Sequence, residues 1–305
     1  MTITHQQQRR IAAVLFLLAF TAVPRLRAQD IMQDIVPTAS AGLSSSGVAN
    51  TAQTAPLQPD ADIPPQTGRK PLTNSVEAGG DYMGLTNGFG HWVGGYARGV
   101  VATGNNTVNA EVNGQHEFGD AGVYLGAGDT YNFNPDWYGS LTLGSSVGGF
   151  FWPRFRTDAF INKKWMSRKQ LITTFGFGYY AAKDVHRDHS FFLGSTYYFV
   201  KPWIVEEGIR FNVSNPGAVF SPAAFVAVTE GRNKQHYITL RGGFGKEAFQ
   251  LVGPDVSLSD FQSQTLSITW RQWIGTNWGA NLVGDYYNNP FYQRAGISLG
   301  FFREF

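Results

Sequence analysis

The chain has 305 residues, with 24 basic and 22 acidic side chains, 36 glycines, 15% aromatic residues and no cysteine. The lack of cysteine excludes a disulfide framework, a thiolate metal site and a lipoprotein anchor, and it suits passage through an oxidising compartment. The basic residues are scattered rather than patched, which argues against a nucleic-acid partner.

Arg9 and Arg10 precede the apolar run Ile11 to Phe20, and Leu26-Arg27-Ala28 offers a processing site. This is the pattern of a secretory signal peptide over residues 1–28. An apolar run of ten residues is too short for a spanning helix, which needs roughly 20. Cleavage would remove four of the 24 basic side chains and no acid, leaving 20 bases against 22 acids. Residues 29–70 follow, rich in Ala, Ser, Thr, Gln and Pro and without an apolar period, and they read as a disordered periplasmic linker.

From Pro71 to Phe305 glycine and aromatics become frequent and period-two alternation dominates. Leu171, Thr173, Phe175, Phe177 and Tyr179 alternate with Ile172, Thr174, Gly176, Gly178 and Tyr180, and Leu266, Ile268 and Trp270 alternate with Ser267, Thr269 and Arg271. Similar splits recur at Ile238 and Leu240 against Tyr237 and Arg241, and at Trp203, Val205, Ile209 and Phe211 against Glu206, Arg210 and Asn212. Such alternation also fits a soluble sandwich, so the signal peptide, the terminal phenylalanine and the segment length have to decide. The segments run to about 10 or more residues, whereas sandwich strands are nearer five or six and a tilted membrane strand needs about 9 to 11. The reading is therefore all-β, a closed transmembrane antiparallel β-barrel over residues 71–305. Turn signals place fourteen strands, starting near 73, 90, 107, 120, 137, 155, 169, 188, 203, 222, 234, 259, 277 and 291, or twelve if those near 73 and 222 are misread.

An even strand count returns both ends to the periplasm, so the odd connections should be extracellular and longer, among them Leu85 to Gly90, Phe150 to Arg154, Ala182 to Asp188, Ser214 to Pro222 and Phe249 to Leu258. Even connections such as Gly104-Asn105-Asn106 and Arg232-Asn233-Lys234 read as tight turns. Trp92, Trp137, Tyr138, Trp152, Trp203, Trp273, Trp278, Tyr286 and Tyr292 lie near segment ends, where interfacial aromatic girdles belong.

Several stretches together resemble the YaiO-type outer-membrane β-barrel proteins. They are Asp136-Trp137-Tyr138, Gly176-Phe177-Gly178-Tyr179, Gly243-Phe244-Gly245-Lys246-Glu247-Ala248-Phe249-Gln250-Leu251, Trp270-Arg271-Gln272-Trp273, and Tyr286-Tyr287 with Asn289-Pro290-Phe291-Tyr292. The resemblance implies the outer membrane of a Gram-negative bacterium and association with surface or exopolysaccharide systems, and it brings no catalytic residues. Partners on this reading are outer-membrane lipid, the barrel-assembly machinery, and polysaccharide or polysaccharide-secretion proteins; no cofactor is expected.

In a barrel, the inward parity is where charge escapes lipid, at a saving of about 2 to 4 kcal/mol for Arg or Lys at midplane. The inward candidates are Arg156, Asp158, Glu206, Arg210, Arg241, Arg271, Asp285 and Arg294, interleaved with Tyr180, Tyr198, Tyr237 and Tyr287. Such a set could contact a sugar chain, with rings stacking on pyranose faces and charged groups taking hydroxyls, or it could pair internally and brace the lumen. Asp184, His186, Asp188, His189 and Ser190 sit together in an expected extracellular loop, and a solvated loop is a better reading for them than a metal site or a hydrolase. Three functions remain in order: a channel or accessory barrel for carbohydrate, a structural barrel anchoring a periplasmic partner, and an outer-membrane hydrolase.

The segment before the terminus alternates Ile297, Leu299, Phe301, Arg303 and Phe305 with Ser298, Gly300, Phe302 and Glu304. Ile297, Leu299, Phe301 and Phe305 resemble the closing-strand signal by which such barrels are recognised for assembly, and Arg303 should snorkel to the periplasmic headgroups. Replacing Phe305 with Gln should lower the amount of heat-modifiable, folded protein recovered from outer membranes; unchanged levels would remove that role from Phe305.

Overall fold

The structure, a computed structural model, describes residues 74–200 and 202–305. The expected signal peptide and linker lie outside the described residues. Fourteen strands follow one another: β1 (Ser75–Leu85), β2 (His91–Thr103), β3 (Asn106–Glu117), β4 (Asp120–Asn132), β5 (Trp137–Gly148), β6 (Phe155–Trp165), β7 (Leu171–Ala181), β8 (Arg187–Tyr198), β9 (Trp203–Asn215), β10 (Val219–Arg232), β11 (His236–Gly253), β12 (Val256–Trp273), β13 (Trp278–Asn288) and β14 (Gln293–Glu304). Each starts within three residues of the position read from the turn signals, and the segments near 73 and 222 are true strands, β1 and β10. Every strand pairs antiparallel with its neighbour, and β14 returns to β1 in a continuous register from Ser75↔Glu304 to Leu85↔Arg294, closing the barrel.

The two side-chain parities lie in different solvents. On β14, Ile297 is 61% exposed and Leu299 47%, while the intervening Ser298 is 2% exposed. Apolar groups outside and polar groups inside is the reverse of a soluble protein and the arrangement that hydrocarbon demands. Arg303 lies on the outward parity opposite Trp278 and Val76, at the end of the barrel where β1 begins.

Three expectations need correction. First, the long-short alternation of connections disappears, because strands continue where loops were expected. The connection from β9 to β10 shrinks to residues 216–218, and Phe249 to Leu258 belongs to an 18-residue hairpin, β11 and β12, turning at Pro254-Asp255. Its ladder runs on from Lys246↔Gln262 to Gly253↔Val256, with irregular register between Leu251 and Gly253. Second, five of the nine expected girdle aromatics, Trp92, Tyr138, Trp152, Trp273 and Tyr292, are buried within the molecule. Trp137, Trp203, Trp278 and Tyr286 do face outward, and Lys163 lies over Trp137 and Trp165. Third, Asp188, His189 and Ser190 belong to β8 rather than to a loop.

Inward rings lie flat against the wall where glycines on the same or nearby strands leave room for them. Tyr124 occupies the place where a Cβ on Gly144 would stand, Tyr96 covers Gly300, and Phe192 comes within 2.7 Å of such positions on both Gly194 and Gly208. Gly242 on the outward parity has nothing within 4 Å of its Cβ position. Gly144→Ala should therefore destabilise the barrel by about 1–3 kcal/mol through overpacking. Gly242→Ala should have little effect; urea unfolding in lipid vesicles checks the pair, and equal effects would contradict this packing.

Candidate functional site: the barrel lumen

Parity places all twelve inward candidates on the inner wall. Toward the end where β1 begins and β14 finishes, register aligns Glu77, Arg98 and Glu111 on β1, β2 and β3. Glu77 is nearly buried and accepts from Arg98 at 2.7 Å, from the Tyr96 hydroxyl at 2.9 Å and from Arg271 at 3.3 Å. Arg271 also lies 3.5 Å above the Phe302 ring and 3.9 Å from Glu304, whose carboxylate accepts from the Trp273 indole at 3.2 Å. Glu77, Tyr96, Arg98, Glu111 and Glu304 were not among the sequence candidates. Their signal was present: on β3, Asn109, Glu111, Asn113, Gln115 and Glu117 alternate with Val108, Ala110 and Val112.

On the opposite wall, Arg156 donates to Asp158 at 2.6 Å, two residues on along β6 and on the same parity. Register then carries the row from Asp158 through Gly178 to Ser190 and Asn212. Gly178 leaves the space over which Arg210 reaches both the Ser190 hydroxyl at 3.2 Å and Asp158 at 3.8 Å. Tyr180 stands opposite Arg156. A second row sets Glu206, Ala227, Arg241, Ser267 and Asp285 side by side, and Arg241 stacks 3.5 Å from the Phe225 ring. Tyr198 and Tyr237 share the periplasmic part of this wall and stay half-buried, as Glu206, Arg210 and Arg241 do.

The half of the barrel under the β11–β12 turn is packed. Arg294 pairs with Asp285 at 3.0 Å and lies between the rings of Trp92 and Tyr287. The hairpin of β11 and β12 leans over this end: the Tyr287 hydroxyl donates to Glu247 at 2.6 Å, and Gln250 donates to the Tyr292 hydroxyl at 2.5 Å. Phe249 meets His186 at 3.8 Å, and Phe151 and Trp152 are buried against Tyr124. Glu247 and Ala248 are buried beneath this end, while toward the other end buried inward residues such as Phe302, Trp273 and Tyr138 alternate with half-buried Tyr198, Glu206, Tyr237 and Arg241.

The histidine-rich segment divides. Asp184 accepts from the His186 backbone and ring in the loop, whereas Asp188 and Ser190 point inward and His189 points outward against Tyr179. Ser190 and His189 therefore lie on opposite faces of one strand and do not form a nucleophile-base pair. Among the described residues no three Asp, Glu or His side chains are grouped to hold a metal ion.

A closed barrel with an apolar outside, outward tryptophans and a polar inside is an outer-membrane β-barrel of a Gram-negative bacterium. Its residues 73–250 match the model of the YaiO membrane beta barrel domain, more than half of the chain, and the protein belongs to that family. No curated protein matches it by sequence. Among solved structures it is similar to the CymD monoaromatic hydrocarbon channel, at 6% identity and TM-score 0.53 over 76% of this chain and 88% of that one. It is also similar to a deletion mutant of the TodX monoaromatic hydrocarbon channel, at 11% identity and TM-score 0.50 over 77% and 91% of the two chains. A bacterial polysaccharide outer membrane secretin aligns at 10% identity and TM-score 0.49 over 77% and 99%. At these identities the likeness concerns the fold.

Because Asp158 pairs with both Arg156 and Arg210 in a nearly buried site, Asp158→Ala should cost about 3–5 kcal/mol. Urea unfolding in vesicles measures it; a change under about 1 kcal/mol would mean that water already screens the group.

Proposed function

We propose that this protein is a non-enzymatic barrel that admits carbohydrate from the periplasmic side and serves a surface or exopolysaccharide system, as a channel or an accessory to one. One observation carries this reading: half-buried Tyr198, Tyr237, Glu206, Arg210 and Arg241 share one wall of the lumen, away from the end that the hairpin of β11 and β12 covers. Aromatic faces with charged donors and acceptors between them are the surface that a sugar chain binds, since rings take the apolar pyranose face and the ionic groups take hydroxyls. The alternation that separates Ser190 from His189 supports a role without hydrolysis.

The reading extends to partners. Polysaccharide or polysaccharide-secretion proteins would deliver the chain from the periplasm, and the assembly machinery would insert the barrel. A second reading, a structural barrel that anchors a periplasmic partner, draws on the pairing of Asp158 with both Arg156 and Arg210, which braces the wall.

Shortening the hairpin separates the two. Replacing residues 248–260 with an Asn-Gly turn should turn a barrel that swells slowly in maltotetraose into one that swells several-fold faster in a liposome assay. A shortened barrel that folds, as shown by heat modifiability, and still excludes every oligosaccharide would favour the structural reading.

A further inference from the structure

We propose that two copies of this barrel pair in the membrane through the outward face of β6 to β9, each giving a lysine to the other's glutamate. The pairing is independent of what the lumen carries. It starts from a row of polar side chains on the lipid-facing parity. Register sets Lys163 on β6 opposite Thr173 on β7, Thr173 opposite Ser195 on β8, and Ser195 opposite Glu207 on β9. The row crosses four strands and ends on a cation at one side and a carboxylate at the other.

Glu207 stands where a membrane strand is least able to carry it. On β9 the outward Trp203 and Val205 precede it and the outward Ile209, Phe211 and Val213 follow, and its neighbour on β10 is Val226. Four residues beyond Trp203 is about 13 Å of strand and, at a tilt of about 40°, about 10 Å along the membrane normal. The apolar band of such a barrel is about 25 Å tall, so this carboxylate lies near its middle, beyond reach of the headgroups. Glu230, by contrast, lies opposite Trp203 at the girdle and has His236 at 3.0 Å. The Glu207 carboxylate accepts from the Ser195 hydroxyl at 3.1 Å, and among the described residues no cation pairs with it.

At the other end of the row, Lys163 lies 4.8 Å and 4.1 Å from the ring centres of Trp137 and Trp165, and among the described residues it has no acid either. The Trp165 indole donates to the Thr173 hydroxyl at 2.8 Å, which ties the girdle to the polar row. An ammonium resting on aromatic faces keeps N–H donors to spare. Lys163 sits closer to the girdle than Glu207 does, two residues from Trp165, and its flexible four-carbon stem lets the ammonium rise toward the depth of a carboxylate.

Within one chain the two charges cannot meet, because three strand spacings of about 4.8 Å hold them about 14 Å apart on the wall. A two-fold axis along the membrane normal, passing between Thr173 and Ser195, turns the row end for end. It brings Lys163 of one protomer to Glu207 of the other, twice, and sets the hydroxyls of Thr173 and Ser195 against each other near the axis. Such an isologous contact satisfies both charges with no further residue. Acyl chains supply no cation at this depth, and an unrelated barrel would have to bring one, whereas a second copy already carries it. The rest of the wall, where Phe175, Leu193 and Ile209 are exposed, suits protein and lipid equally, so the charged ends of the row choose the occupant.

The test uses the full chain, which has no cysteine of its own. Thr173→Cys places one thiol beside the axis, and Leu299→Cys places one on β14, seven strands away around the barrel. Mild oxidation of outer membranes should convert Thr173→Cys into a disulfide-linked pair of this chain and leave Leu299→Cys single. Equal yields, no cross-link at Thr173→Cys, or a cross-link there to a different protein would overturn the second copy as occupant. Energy transfer between labelled copies in lipid vesicles then reads the charges. Glu207→Lys and Lys163→Glu should each weaken association at least about tenfold, and the two reversals combined should recover most of it. Heat modifiability shows that each variant is folded. Folded single variants that associate as the wild type does, or a double reversal as weak as either single one, would overturn the lysine-glutamate pairing.

Discussion

Hydrocarbon offers no partner to a backbone N–H or C=O, and each unpaired group there costs several kcal/mol, so the pairing of β14 with β1 is the contact on which everything else depends. Without it, two strands would present open edges to lipid. Once the sheet closes, every residue of a strand faces either acyl chains or the lumen, and the period of two fixes which. Leu299 and Ser298 are adjacent in sequence, yet they occupy opposite solvents. The outer surface then has to be apolar, and whatever is charged has to be inside.

Charge inside a barrel still needs compensation, and the lumen supplies it in an economical form. Glu77 and Asp158 each lie between two arginines, and Arg271 is shared further with Glu304, which fixes the cations in position. Rings help in the same way: Arg271 over Phe302 and Arg241 over Phe225 gain cation-π attraction from side chains that already pack on the wall. Those rings can lie flat because glycines stand beside them. Tyr124 on Gly144 and Tyr96 on Gly300 thin the wall locally, so large side chains occupy little of the lumen's width. Glycine content, inward aromatics and accessible arginines are therefore parts of one arrangement.

Strand positions and side-chain parity were legible in the sequence because both follow from local alternation and turn residues. This is why Arg156, Arg210, Arg241 and Arg294 could be placed inward from neighbours such as Thr157, Ile209, Leu240 and Ala295 alone. Pairing partners across the lumen were not legible. Glu77 and Arg271 meet although 194 positions separate them, and only closure brings their strands near each other. The girdle reading erred for a related reason. Trp92 and Tyr292 do lie near strand ends, but nearness to an end says nothing about parity, and parity sends them inward against Arg294 and Gln250. The loop expected at Phe249 to Leu258 looked like a loop because glycine, proline and aspartate interrupt it; the backbone instead keeps its ladder and confines those residues to the turn and the irregular step.

That extended hairpin decides what the lumen can be. Its inner residues are not surface polar groups: Glu247 and Ala248 are completely buried, and Glu247 is held by Tyr287 from β13. Gln250 is held by Tyr292, which sits between β13 and β14, and Phe249 rests on His186 between β7 and β8. The cover is thus tied to two well-separated parts of the rim. Lifting it would break hydrogen bonds at Glu247 and Gln250 and expose the Phe249 contact at the same time, so partial opening recovers little of what full closure provides. Continuity of the ladder through Lys246 into the rest of β11 makes the cover an extension of the barrel wall and not a separate loop laid over it.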